Sequence, residues 1–541
     1  KQEIVAEVVP GETVGELALL IDQPRAATVF AARDSTLGRL PRRVFDLIGS
    51  RYPQTMLEVT SSILRRLRTS DVRRRGALRL SVAVLPATND SGVRHFAVDL
   101  ARALGDVGTT YQLTRERIDE ILGKPGIASA SADEPAAIRL GEWLGEVEDR
   151  FEVVVYECDP EWTPWTERAI GHADLVLTVI DARAGPSLQP VEATLAETLD
   201  GKRHARRALV ILHEASASPH RTGRWLDLRD VDDHFHVEMG ARDDLARIAR
   251  ILSGRGLGVA LGGGGARGLA HIGVLRCFEE LHLPIDLIGG TSMGSVMGSL
   301  RALGLDHTQM TEVVKESFAD TLDYTMPVVS LVKGRRATDS MRAVFGSRGI
   351  EDLTIPFFCI STNITRSRTV VHRVGDLTTA VRASGALPGV FPPVPFDGNL
   401  LVDGGVLNNL PADVVRRSTP DGRVVAVNVA PSVWSRARSD FGLSVSGFRA
   451  LMDRLNPRRR PVAPPITSTL LRSMVVGSMR DRDLLIDGGV ADLYLDLDLR
   501  GVGMLDFDAV DRVAATAYEA AMPQFEAWLE RDPEVANLAG G

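Results

Sequence analysis

Cysteine is scarce in this chain. Only Cys158, Cys277 and Cys359 occur in 541 residues, too far apart to frame a disulfide scaffold or a zinc site. Such usage fits a reducing compartment. Long apolar runs are also missing: none reaches the ~18 residues that a membrane-spanning helix needs, and no signal peptide opens the sequence. Nor is there a basic excess. With 63 Lys and Arg against 71 Asp and Glu, the net charge is −8, which argues against a nucleic-acid-binding surface. What remains is 44% hydrophobic and 25% charged residues, ordinary for soluble globular protein, with a length that suggests about three or four domains.

Against this background two glycine-rich segments carry chemistry. Leu257–Leu261 (LGVAL) reads as a buried strand, and Leu269–Leu281 has apolar residues at helical spacing. The run Gly262-Gly263-Gly264-Gly265-Ala266-Arg267-Gly268 lies at the crossing between them. Successive glycine N–H groups at such a crossing form a positive concavity for a phosphate or a developing oxyanion. Dinucleotide binding would want G-x-G-x-x-G and an acid about 20 positions on, closing the next strand. Asp286 stands near that distance but precedes its strand. A Walker loop would want Gly-Lys-Ser/Thr, which Arg267-Gly268-Leu269 does not supply. The next apolar strand, Pro284–Gly290, runs into Gly290-Thr291-Ser292-Met293-Gly294, and Ser295–Leu303 continues as a helix. Strand, tight turn and helix are the setting of a nucleophile elbow, in which the strained turn exposes the serine hydroxyl.

A third segment supplies a carboxylate. The apolar strand Leu400-Leu401-Val402 ends at Asp403-Gly404-Gly405. His271, His282, His307 and His372 are the histidines around these segments, and none follows Asp403, so the order Ser, Asp, His of hydrolase triads fails. The second Asp-Gly-Gly, Asp487-Gly488-Gly489, follows a charged helical pattern and reads as a surface turn.

Glycine loop, serine, the block Arg382-Ala383-Ser384-Gly385-Ala386-Leu387-Pro388-Gly389-Val390-Phe391-Pro392-Pro393 and Asp403, in this order, resemble the catalytic domain of patatin-like phospholipases. The resemblance implies a Ser–Asp dyad: Ser292 as nucleophile, Asp403 as base, and Gly263, Gly264 and Gly265 as the oxyanion hole. Arg267 would steady that loop or meet a lipid phosphate. The reaction implied is hydrolysis of a phospholipid or lysophospholipid acyl ester at a membrane surface, with no metal and no cofactor for catalysis.

The start of the chain resembles the phosphate-binding cassette of cyclic-nucleotide-binding domains: Gly15-Glu16-Leu17-Ala18-Leu19-Leu20, then Pro24-Arg25-Ala26-Ala27-Thr28-Val29. By that resemblance Glu16 meets the ribose 2′-hydroxyl, Arg25 and the backbone of Ala26 and Ala27 hold the cyclic phosphate, and Thr28 lies near the base. A cyclic nucleotide, cAMP or cGMP, is then an expected effector. The cassette belongs late in such a barrel, so the barrel is expected to be partial here. Any transmembrane segment is expected only before Lys1.

Between these regions Leu80–Leu85, Phe151–Tyr156, Leu175–Ile180 and Ala208–Leu212 are buried-strand patterns alternating with helical segments such as Val93–Leu104 and Pro135–Leu144. Alternation of this kind predicts a doubly wound, Rossmann-like parallel sheet. Its first loop, Pro86–Gly92, lacks a phosphate-binding lysine, and a structural or regulatory role is expected.

The expected architecture is multidomain α/β. Residues 1–70 form the C-terminal part of a cyclic-nucleotide-binding β-barrel with trailing helices, including a helical stretch Phe45–Leu67. Residues 77–250 form the Rossmann-like module, and 256–541 a patatin-like α/β hydrolase domain with a C-terminal extension. This order resembles the neuropathy target esterase group of lysophospholipases, and implies a cytoplasmic location or the cytoplasmic face of a membrane. Two other readings stand beside it: a catalytically silent nucleotide-responsive binding module, and the cytoplasmic tail of a membrane protein.

Overall fold

The computed structural model describes residues 14–15, 29, 37–52, 79–131, 134–199, 205–215, 217–317, 323–326, 328–430, 444–447, 488–503 and 506–539. Glu16, Arg25, Ala26, Ala27, Thr28 and Asp487 lie outside them. Of the expected helix Phe45–Leu67, a helix Arg42–Arg51 is described. Among the described residues no helix is long and apolar enough to cross a membrane. The chain divides into two compact units: Lys1–Asn89, Gly108–Thr178 and Leu188–Arg207 in one, Asp90–Val107, Val179–Ser187 and Ala208–Gly541 in the other.

The first unit is built on β1 (Leu80–Pro86), β2 (Thr110–Leu113), β3 (Val153–Glu157) and most of β4 (Leu175–Asp181), in the order β2-β3-β1-β4. β3 runs parallel to both β1 and β2. β1, β3 and β4 are buried almost throughout, which is why they read as continuous Val/Leu/Ile runs and not as alternating patterns. β2 is short and only half-buried at Thr110, Tyr111 and Gln112, so it takes the edge. The neighbour of β1 is therefore β3, whereas the dinucleotide-binding order 3-2-1-4 would place β2 there. Helices Pro135–Arg150 and Pro164–His172 each open on proline, whose missing N–H costs nothing at that position. The Thr163 hydroxyl caps the second by accepting from Thr166 N. The buried Trp165 lies edge-on to Tyr156 and donates its Nε1–H to Glu157 O at 2.8 Å.

In the second unit β5 (Arg206–His213) runs parallel to β6 (Asp233–Glu238). His236 Nε2–H and His234 Nε2–H both donate to Glu351 O, at 2.8 and 3.0 Å, and Thr222 N donates to Asp352 Oδ1 at 2.8 Å. A carbonyl can only accept, so the shared Glu351 O fixes the Nε2–H tautomer of both rings. His236 Nδ1 is then the acceptor for His213 Nε2–H at 2.8 Å. Burial holds all three imidazoles below their ordinary pKa, His236 at about 3, and keeps this chain of bonds neutral.

The same unit contains a mixed sheet in the order β11-β12-β9-β8-β7-β13-β14, with β10 paired to β9. Its strands are β7 (Leu257–Leu261), β8 (Leu287–Thr291), β9 (Phe357–Asn363), β10 (Arg368–His372), β11 (Val394–Phe396), β12 (Asn399–Asp403), β13 (Arg423–Asn428) and β14 (Leu493–Asp496). β9-β8-β7-β13-β14 are parallel, and β10, β11 and β12 add antiparallel pairings. The long helix Val510–Arg531 packs on the helix Ala270–Glu280. The two come close because residue 273 is glycine: a Cβ there would lie 2.0 Å from Ala514 O. Phe278 and Phe525 meet edge to face beside that crossing.

Asp286, the acid following the glycine loop, is wholly buried. Arg250 meets it as a fork, Nε to Oδ2 at 2.9 Å and Nη2 to Oδ1 at 2.8 Å, and Leu257 N donates to Oδ2 at 2.8 Å. It fixes the entries of β7 and β8 and is not placed for a ribose. Arg250→Ala is expected to strand this carboxylate and destabilise the protein by about 3–5 kcal/mol. Urea denaturation checks this, and a loss under ~1 kcal/mol would show that the ion pair is not holding the strand entries.

Candidate active site

Parallel β7 and β8 end in register, Leu261 opposite Gly290, so the loops that leave them emerge side by side. One is the glycine run and the other is the turn at Ser292. Ser292 has φ 55° and ψ −124°, a left-handed conformation that side-chain-bearing residues rarely adopt and that persists only where the surroundings over-determine it. Those surroundings are closely packed. A Cβ at Gly290 would lie 2.3 Å from the carbonyl carbon of Gly294, and one at Gly294 would lie 2.2 Å from Leu261 O. The serine is left partly exposed at the start of the helix Met293–Ala302.

The glycine loop crosses directly over this turn: a Cβ added at Gly263 would stand 3.0 Å from Ser292 Cβ. Gly262 N donates to Val427 O at 3.0 Å and Gly263 N to Asn409 O at 3.1 Å. The sequence reading treats Gly263, Gly264 and Gly265 as equal donors. The structure divides them, because the Gly263 N–H is already engaged while those of Gly264 and Gly265 have no hydrogen-bond partner among the described residues. Arg267 donates from Nε to Val502 O at 2.9 Å. Half-burial lowers its pKa.

Asp403 closes β12 and is buried. Its Oδ1 accepts from Gly405 N at 2.8 Å, and its Oδ2 has no hydrogen-bond partner among the described residues. Burial pushes the carboxyl up to about 6, against the pull of the Ser292 hydroxyl and the Gly405 N–H. The Ser292 hydroxyl is near enough to favour the carboxylate, yet the pair does not close a hydrogen bond of normal geometry.

No histidine nitrogen bonds to Ser292 or Asp403 among the described residues. His271 donates from Nε2 to Gly262 O at 2.8 Å, and burial lowers its pKa to about 4. His372 is tied to the Ser361 hydroxyl at 2.7 Å, and His307 to the Glu279 carboxylate.

Two further residues shape the site, and the sequence reading assigned neither a role. Ser384, fully buried at the end of the helix Leu377–Ser384, accepts the Ser292 N–H at 2.9 Å. Asn409 returns a second bond to the glycine loop, from Nδ2 to Gly263 O at 3.1 Å. Only their membership of glycine- and proline-rich blocks pointed to them. Elsewhere, the Arg183 guanidinium beyond β4 is forked onto Asp181 and also meets Glu214 and Asp90. Three carboxylates around one cation disfavour a polyphosphate at this end of the α/β module. A cavity of about 390 Å³ in the first unit is lined by Glu142, Glu148, Asp149 and Asp174 among others, and by neither Ser292, Asp403 nor the glycine loop.

Comparison with known proteins agrees with this geometry. The model of the Patatin-like phospholipase family matches residues 259–416, that of the Neuropathy Target Esterase family P-loop like domain matches 79–253, and that of the Cyclic nucleotide-binding domain matches 1–52. The chain is 33% identical over 98% of its length to Patatin-like phospholipase domain-containing protein 7 of Rattus norvegicus, and 33% identical over 98% to protein 6 of that name from Homo sapiens. It is 31% identical over 96% of its length to Lysophospholipase nte1 of Aspergillus fumigatus. It spans 43%, 42% and 39% of those proteins respectively. With the glycine loop, Ser292 and Asp403 all inside the matched patatin-like segment, the chain belongs to the patatin-like phospholipases, in the neuropathy target esterase group.

Proposed function

We propose that this chain is a serine esterase that hydrolyses the acyl ester bonds of phospholipids or lysophospholipids, with Ser292 as nucleophile and Asp403 as general base. The observation that carries the reading is the pairing of a serine in a strained, partly exposed turn with a buried carboxylate whose Oδ2 has no hydrogen-bond partner among the described residues. Ser292 Oγ attacks the acyl carbonyl carbon while its proton passes to Asp403 Oδ2. The oxyanion that forms is received by the N–H groups of Gly264 and Gly265, which Gly263 and Asn409 aim. Collapse expels the glycerol oxygen, which takes the proton from Asp403 and leaves an acyl ester on Ser292. Water then attacks that ester, Asp403 accepting its proton and returning it to Ser292, and the fatty acid departs. Arg267 holds the loop from behind through Val502.

The α/β module acts as a scaffold in this reading, supported by the carboxylates that crowd Arg183 and by the bonds from β6 to Glu351. The match at residues 1–52 supports a cyclic nucleotide as effector, held by Glu16, Arg25, Ala26, Ala27 and Thr28. In a chain carrying the whole nucleotide-binding domain, Arg25→Ala should abolish the calorimetric heat of cAMP or cGMP binding, because the cyclic phosphate loses its bidentate partner. Equal heats from both proteins would remove the effector from the proposal.

Two measurements test the dyad. An activated phosphonate should label Ser292 and leave Ser292→Ala untouched, and Asp403→Asn should slow ester turnover by roughly two to four orders of magnitude. A base must be ionised to accept a proton, so wild-type kcat/KM should be lost as pH falls through about 6. An acid limb near pH 4, or a His271→Ala variant as inactive as Asp403→Asn, would sink the assignment.

The same carboxyl makes a stability prediction of opposite sign. Its folded pKa is raised above the unfolded value of 3.8 to about 6, so the folded state holds the proton more tightly. Stability therefore falls as pH rises from about 4 to 6, and the cost is fully present above that. Asp403→Asn keeps the acceptor for Gly405 N and should gain on the order of 2–3 kcal/mol at pH 7.5, shrinking at pH 5. Urea midpoints at the two pH values decide it, and a destabilised variant at pH 7.5 contradicts it.

A further inference from the structure

Between the helices His307–Ser317 and Arg335–Phe345, the described residues of 323–334 have a closed base. Lys333 N donates to Asp323 O at 2.8 Å, Gly334 N to Asp323 Oδ1 at 2.8 Å and Arg335 N to Asp323 Oδ2 at 3.0 Å. Asp323 thus ties the two ends together and caps the second helix. Tyr324 bridges Val332, and Thr325 N donates to Leu331 O at 2.9 Å. Above this base the side chains are the reverse of what a loop in water usually carries. Tyr324 is 68% exposed, Met326 78%, Val328 82% and Val329 70%, while Ser330 and Val332, nearer the base, are buried. Single exposed apolar residues are normal, but four large ones within six positions on a pinned loop form a patch that needs a partner.

The loop is wired to the catalytic groups. Leu331 N donates to Gly389 O and Val332 N to Val390 O, both at 3.0 Å. Just before these, Ala386 O accepts from Asp403 N at 2.9 Å and Ser384 Oγ holds the Ser292 N–H. Arg382 stacks on Phe391 at 4.7 Å and lies against Gly334, where a Cβ would come 2.5 Å from its guanidinium. The tip and the nucleophile therefore share one hydrogen-bonded frame. At the base of the loop Lys333 and Arg335 are exposed. The Asp323 carboxylate is turned into backbone N–H groups, and Arg335 has Asp339 on its own helix at 3.5 Å. Apolar side chains at the tip and cations at the base match the depth profile of a bilayer with anionic head groups: acyl boundary first, phosphate second.

We propose that the described residues of the loop 323–334 form the lipid-docking element of this chain, with Tyr324, Met326, Val328 and Val329 entering the interface and Lys333 and Arg335 meeting anionic head groups. The inference rests on the lipid-ester reading, since it brings the Ser292 turn to the surface that holds the substrate. It adds which residues touch that surface.

The test uses the whole chain, with sedimentation on vesicles of phosphatidylcholine containing phosphatidylserine. Val328→Asp combined with Val329→Asp should weaken vesicle binding about tenfold or more, because two interface side chains become charges. Lys333→Glu with Arg335→Glu should remove the dependence on phosphatidylserine. Turnover of vesicle lipid should fall with binding, while turnover of a soluble short-chain ester stays at the wild-type rate. Thermal melting of each variant confirms that it is folded, as expected for positions this exposed. Wild-type binding by the Val328/Val329 variant overturns the proposal. So does equal loss on soluble ester, which would make the loop a wall of the active site, or wild-type failure on vesicles with capture of a protein partner instead. If no ester is turned over at all, the esterase reading fails while sedimentation still judges the docking element.

Discussion

Ser292 and Asp403, the proposed nucleophile and base, are placed by one strand that contributes neither. β9 pairs with β8 so that Ile360 stands opposite Thr291, and with β12 so that Ser361 stands opposite Asp403. Two consecutive residues of β9 therefore set the separation between Ser292 and the carboxylate. A slip of one residue would turn every side chain of the strand to the other face. Several contacts resist that slip. The Phe358 ring fills the space left by Gly289, where a Cβ would come within 2.1 Å of it. Gly404 passes so close to Ile360 O that a Cβ would stand at 2.4 Å. From β10, His372 holds the Ser361 hydroxyl. Replacing any of these glycines by alanine acts on the chemistry through register and not through loss of a reacting group.

In the proposed dyad, burial is what lets a carboxylate stand where Ser–His hydrolases use histidine. An ordinary aspartate is too weak a base to take a serine proton, but one stripped of water, with only one oxygen hydrogen-bonded, has its proton affinity raised toward neutral pH. The sheet bears the cost of that desolvation, because Asp403 N and Oδ1 are both fixed by backbone and the side chain has no route to solvent. The nearby histidines are already committed. His271 and His372 are neutral and turned to Gly262 O and Ser361, so the fold uses them as donors and acceptors of fixed direction.

The parts of this design that are local in sequence were legible there. Apolar runs ending in glycine marked β7, β8 and β12, and the turn chemistry at Ser292 and Asp403 follows from small residues at fixed offsets. The strand patterns of the α/β module were equally readable, since burial on both faces leaves no alternation to misread. What could not be read were contacts whose meaning depends on where another segment lands. Ser384 reaches Ser292 N across 92 residues, and Asn409 reaches Gly263 O across 146. A serine at a helix end and an asparagine in a turn give no hint of either. Asp286 could be weighed for ligand binding by its distance from the glycine run, but its forked bond to Arg250 is visible only in three dimensions. The place of β3 beside β1 had no sequence signal beyond the shortness and polarity of β2. The nucleotide cassette rests on resemblance and family match alone, because its residues lie outside the described ones.

The glycine loop shows how remote segments become part of the chemistry. From one side Asn409 clamps Gly263 by both its carbonyl and its side chain. From beneath, His271 holds Gly262 O, and β13 holds Gly262 N through Val427. From behind, Arg267 reaches Val502, in the segment leading to the helix Val510–Arg531. Arg423 pins the far end of that helix to β13 through Asp532 and Glu534. Each anchor uses a donor or acceptor of the loop that is not needed for catalysis. The N–H groups of Gly264 and Gly265 are left without a partner among the described residues, in a loop anchored on three sides. In the proposed mechanism an oxyanion that develops there meets dipoles already oriented, so little reorganisation is required when the charge forms. By that proposal the C-terminal segment, far from Ser292 in sequence, contributes to transition-state stabilisation without touching the substrate.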